Sequence, residues 1–178
     1  MGKRTSFRKM GTAAAAVGAA VLVSASTAGA AQAMPSDHPN FDRYCTSDQV
    51  HVTTTRLDSG MGKSGTQLVF TARPGQSCLL GGAPGVTFTD PAGHALDIPT
   101  RPTSDQRTPV RVDQEHSATA SLSFQRVNMN TGRQLSGPTP ASMAVTLPAP
   151  MKVYTVTVPW ISGVEVPSTV HVTPVSAR

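Results

Sequence analysis

The sequence predicts an all-β fold, an antiparallel sandwich of about eight or nine short strands with Greek-key connections. Three observations carry this reading. Apolar residues recur at every second position through most of the chain, and fifteen Pro and fifteen Gly punctuate those runs at short intervals. Beyond the N-terminal segment, no window shows apolar residues at helical spacing.

Residues 1–33 read as a secretory signal peptide. Lys3, Arg4, Arg8 and Lys9 form a positive start, Ala13 to Val23 an alanine-rich apolar core, and Ala31-Gln32-Ala33 the small-x-small cleavage pattern, with Ala28-Gly29-Ala30 as a second candidate. The apolar core is too short and too weakly hydrophobic to remain as a membrane helix. Four of the fifteen Lys and Arg, and none of the ten Asp and Glu, lie in this leader, so the remaining 145 residues carry a net charge of +1. The basic pI therefore belongs to the leader and gives no argument for nucleic acid or anionic membrane as a partner. About 145 residues suffice for one self-supporting domain. The expected organisation is signal peptide 1–33, a flexible lead-in 34–44 containing Pro35 and Pro39, and a single β-sandwich over 45–178.

The strands follow in order. Val50 and Val52 alternate with His51 and Thr53; then a glycine-rich loop, Asp58 to Gly65, precedes the run in which Leu68, Phe70 and Ala72 alternate with Gln67, Val69 and Thr71. Arg73-Pro74-Gly75 is a turn. From Cys78 to Ile98 the pattern predicts two short strands joined through the tight turn Asp90-Pro91-Ala92-Gly93, the first carrying Val86 and Phe88 on one face. Pro99 to Pro109, with three prolines, is too irregular for a strand. Val110 and Val112 flank Arg111, and after the polar turn Asp113 to His116 comes the clearest strand, Ala118, Ala120, Leu122 and Phe124 against Thr119, Ser121, Ser123 and Gln125. Asn128 to Pro140 is a second loop. Met143, Val145 and Leu147, then Tyr154, Val156 and Val158, and finally Val170, Val172 and Val175 mark the last three strands.

Cys45 and Cys78 are the only cysteines, and export to an oxidising space predicts a bridge between them. Closing that loop stabilises the fold by about 3 to 4 kcal/mol on the chain-entropy model. Metal ligation is the alternative, but a zinc site needs about four ligands and no CxxC or HxxxH spacing accompanies the pair. With no lipidated first cysteine and no hydrophobic tail, a secreted, extracellular product is expected.

Four stretches resemble a secreted actinobacterial family known only as domain of unknown function 4232: Cys45 to Val52, Leu68 to Thr71, Cys78 to Val86 and Val172 to Val175. The resemblance covers almost the whole mature chain and is most specific in Cys-Leu-Leu-Gly-Gly-Ala-Pro-Gly-Val. It implies an immunoglobulin-like β-sandwich, with no catalytic residues to carry over. Ala83 stands where the family usually has an aromatic, and a second cysteine pair often found near Gly137 to Pro140 and Pro167 to Thr169 is missing in both halves.

The chemistry-bearing residues point mostly to structure. Gly62-Lys63-Ser64 has the end of a phosphate-binding loop without its first glycine, since position 57 is Leu57, and a strand follows where a helix is required, so it reads as a flexible glycine hairpin. The neighbours Asp113, Glu115, His116 and Ser117 are expected to diverge from one turn rather than form a nucleophile and base. No carboxylate pair suggests glycoside chemistry. His51 and His171 lie on the solvent faces of the first and last strands; were those strands adjacent, the two rings would form half of a surface copper or zinc site. His38, His94 and His116 fall in the lead-in and in turns. Trp160, at a strand end, either closes the core or offers a ligand contact, the core being favoured. With Phe41, Tyr44, Phe70, Phe88, Phe124 and Tyr154 as the other aromatics of the mature chain, a stacking platform for sugar or bases is not expected.

The sequence therefore predicts a secreted, non-enzymatic binding module without cofactor, catalytic residues or nucleic-acid partner, free of the membrane after signal cleavage and monomeric. Its partner is expected to be an unknown protein or cell-envelope ligand, met through Asp58 to Gly65, Pro99 to Pro109 and Asn128 to Pro140. An extracytoplasmic copper or zinc binder using His51 and His171 is the alternative.

Overall fold

Period-two alternation needs a covered face and a wet one, and the strands of this chain supply both. The structure is a computed structural model describing residues 43–178. The expected signal peptide (1–33), His38 and the expected lead-in up to residue 42 lie outside the described residues.

Among the described residues, twelve strands form in three sheets. The first five are β1 (Val50–Thr54), β2 (Asp58–Gly60), β3 (Lys63–Ala72), β4 (Cys78–Gly81) and β5 (Gly85–Thr89). There follow β6 (Thr100–Pro102), β7 (Pro109–Val112), β8 (Ala118–Gln125) and β9 (Ser142–Thr146). The last are β10 (Thr155–Pro159), β11 (Val170–Val172) and β12 (Ser176–Ala177). The largest sheet has the order β1-β3-β8-β11-β6, with β2 continuing the β1 edge of β3 and β12 also pairing with β8. The order β10-β9-β5 makes a second sheet, and β4 and β7 a third. All pairings are antiparallel except β6 with β11.

The inward faces of these sheets share one hydrophobic cluster. Leu68 and Phe70 of β3, Leu122 and Phe124 of β8, Phe88 of β5 and Met143 of β9 are all buried in it. Each such large side chain contributes about 1.5–3 kcal/mol by leaving water, which offsets the chain entropy of the surrounding loops. Cys45 and Cys78 are joined and buried in the same cluster, and the Cys45 N–H donates to the Leu79 carbonyl at 3.0 Å.

The all-β sandwich agrees with the sequence, and four expectations are corrected. There are more strands than eight or nine, because β2, β4, β6 and β12, only two to four residues long, are too short to show alternation. The glycine hairpin expected at Gly62-Lys63-Ser64 is present, but Asp58 to Gly65 is paired strand rather than loop except for its two-residue turn Met61-Gly62, both at positive φ (51° and 75°). Within Pro99 to Pro109, Thr100–Pro102 is a strand, tolerated with its proline because it lies at a sheet edge. By contrast, the chain after Asp90 to Gly93 forms only a single bridge, Thr89 with Ala95, and not a second strand.

Candidate functional site

Alternation along β3 and β8 points Leu68, Phe70, Leu122 and Phe124 into the core and leaves Lys63, Gly65, Gln67, Ser121 and Ser123 on the opposite face. The register sets these residues in rows across the sheet. One row reads Asp58, Gly65, Ser123, His171, Arg101, and the next pairs Gln67 with Ser121. Lys63, Gln67, Arg101, Asp58 and His171 are exposed, so this face meets solvent.

Gly65 breaks the face open. A Cβ built at this position would stand 2.9 Å from the Leu122 carbonyl oxygen, so the approach of the β8 backbone demands glycine. The missing side chain leaves a groove of about 490 Å³ with Gly65 at its floor, Ser121 and Ser123 on one side, Arg56 and Asp58 on the other, and Lys63 and Gln67 along the strand. The far wall is shaped by a β-bulge. Thr54 faces Leu68 and Asp58 faces Gly65, so Thr55, Arg56 and Leu57 stand against only Thr66 and Gln67. The bulge is pinned by the Thr66 hydroxyl donating to the Thr55 carbonyl at 2.8 Å and the Gln67 N–H donating to the Thr55 hydroxyl at 3.0 Å. The groove thus offers hydroxyls, an amide and charges of both signs, and no aromatic side chain lines it.

Ser123 and His171 are cross-strand neighbours in this row, but no hydrogen bond joins them, and Asp58 lies beyond Gly65 on the side of Ser123 away from the ring. Among the described residues, no carboxylate is paired with that imidazole to orient it as a base.

The histidine pair weighed as the alternative, conditional on adjacent strands, is not formed. His51 faces Thr71, whereas His171 faces Ser123 and through it Gly65. The two rings are separated by about 20 Å along the strands and about 14 Å across them, while imidazole ligands lie about 2 Å from a bound ion. The condition for that site was adjacency of the first and last strands; β3 and β8 stand between β1 and β11. Among the described residues, no three His, Cys, Asp or Glu cluster as metal ligands do.

Trp160 is not available as a ligand contact. It is 6% exposed, its indole N–H donates to the Val164 carbonyl at 2.8 Å, and its ring meets Phe88 edge-on at 5.1 Å. It closes the core. Gly62-Lys63-Ser64 is the hairpin turn and its exit, with the Ser64 hydroxyl turned inward to Ser59 at 2.7 Å. Asp113 and His116 do converge, contrary to expectation. Hydrogen bonding from the His116 ring, together with the N–H groups of Glu115 and His116, brings the Asp113 carboxyl down to about 2. Ser117 takes no part in these bonds.

Two of the three surfaces expected from sequence meet at one pole. The N–H groups of Arg126 and Val127 donate to the Gly62 carbonyl, which fastens the Met61-Gly62 turn to the start of the 128–140 loop. Residues 103–109 follow β6 to the opposite pole, where Gln106 and Arg107 border a second cleft of about 330 Å³ with Tyr44, Gly82, Ala83 and Pro148. The groove at Gly65 was not foreseen, although a lone glycine at an outward position inside an alternating strand was its signal.

Residues 45–176 match the family model described as Domain of unknown function (DUF4232). No curated protein and no solved structure matches the chain.

Proposed function

This chain belongs to the DUF4232 family, and we propose that it is an exported, non-enzymatic binding module that takes a polar envelope ligand, protein or glycan, in the groove at Gly65. The observation that carries this reading is the groove itself, an opening of about 490 Å³ on a face otherwise tiled with side chains and lined by both hydrogen-bond donors and acceptors. The buried disulfide supports an oxidising, extracytoplasmic setting. Ser123 without a bonded base supports recognition rather than acyl transfer.

The test is capture from cell-wall and secreted fractions by residues 34–178, which contain the whole core and both cysteines. Ser121→Leu combined with Ser123→Leu fills the groove from two outward positions. Expected is a loss of capture of about tenfold or more, the scale of a few lost hydrogen bonds, with an unchanged melting temperature. Capture that survives the filled groove would overturn the proposal.

A further inference from the structure

Two turns meet at the pole where β3 begins. Met61 and Gly62 join β2 to β3, and residues 126–135 fold back on themselves, the Leu135 N–H donating to Arg126 and the Asn128 N–H to Arg133. They touch: Met129 Sδ lies 3.4 Å from where a Gly62 Cβ would stand. Each turn lifts a methionine into solvent, Met61 at 94% and Met129 at 65% exposure. Met61 is also the one non-glycine among the described residues at positive φ, 51°, in a turn position suited to Asn, Asp or Gly. A flexible apolar side chain is therefore displayed where neither backbone preference nor hydration favours it.

Cations surround the two thioethers. Lys63, Arg126 and Arg133 flank the turns, while the nearest acids stand further off, Asp58 three residues before Met61 at the start of the hairpin and Glu165 on the Gly137 N–H beyond the second turn. None of the three is ion-paired among the described residues. The net charge of +1 beyond the leader thus conceals a local concentration of positive charge around exposed apolar groups. That combination fits the boundary layer of an anionic bilayer, where thioethers enter the acyl edge while ammonium and guanidinium groups meet headgroup phosphates. We infer that the Met61 and Met129 pole docks reversibly on an anionic phospholipid surface. Met61 and Lys63 also border the groove, but the docking needs no ligand bound there.

Cosedimentation of residues 34–178 with vesicles tests it, using phosphatidylglycerol mixed equally with phosphatidylcholine, and phosphatidylcholine alone. Binding is expected on the anionic vesicles only, falling as salt is raised. Lys63→Gln with Arg133→Gln should lower partitioning roughly thirtyfold. Met61→Asn with Met129→Ser should lower it about tenfold or more while melting no lower than the parent, since Asn suits the turn. Ser121→Leu with Ser123→Leu should leave it unchanged. Absence of binding, equal binding to both vesicles, full binding by the methionine variant or loss of binding in the groove variant would each overturn the inference.

Discussion

Asp113 gathers the Arg111 Nε at 2.8 Å, the His116 Nδ1 at 2.8 Å and two backbone N–H groups around one carboxylate just before β8. The His116 side chain, followed by the N–H groups of Glu115 and His116, favours the ionised form and brings the acid down to about 2 from an ordinary value of 3.8. A carboxyl depressed on folding stabilises the protein above its unfolded pKa and ceases to do so as pH falls through the folded value. Asp113→Asn should therefore destabilise the protein above about pH 4, with the difference fading toward about pH 2; urea melts of both proteins across that range check it. Sequence reasoning expected divergence in this turn because consecutive side chains usually splay. An aspartate opening a turn can bond its own backbone two and three residues on, and that wraps His116 back toward it. Trp160 was easier to place, since a strand-end indole with a nearby carbonyl for its N–H favours the core.

At the scale of elements, β3 holds most of the design. Its outer half, Leu68 to Ala72, was legible because the large apolar Leu68 and Phe70 recur at every second position between the polar Gln67 and Thr71, as Leu122 and Phe124 do in β8. Its first half hides the same alternation in hydroxyls: Ser64 and Thr66 point inward, 2% and 4% exposed, and are satisfied by Ser59 and Thr55 across the hairpin and bulge. Buried hydroxyls with partners cost little, so the apolar count of the sequence drops while the strand continues. Gly65 lies between them, and Gly65→Ala should cost about 1–3 kcal/mol, because the obstacle to a methyl is backbone and cannot swing aside. Chemical denaturation measures this, and an unchanged midpoint would show that β8 yields at Leu122.

Across the whole molecule, the cysteine pairing was readable because it follows from compartment and arithmetic, whereas the histidine pair depended on strand order, which alternation does not encode. The resemblance to a family likewise told of fold and not of activity. Cys45→Ala with Cys78→Ala should lower stability by about 3–4 kcal/mol, seen as an earlier urea midpoint with a similar slope; a shift under about 1 kcal/mol would mean that the core alone positions this end. Both described ends of the chain leave from that same disulfide pole: Cys45 is bonded to Leu79 there, and the Arg178 N–H donates to the Ser117 carbonyl beside the start of β8. A linker fused before Arg43 or after Arg178 would accordingly suspend the sandwich like a lantern from its hook, with the paired methionines facing outward at the free end.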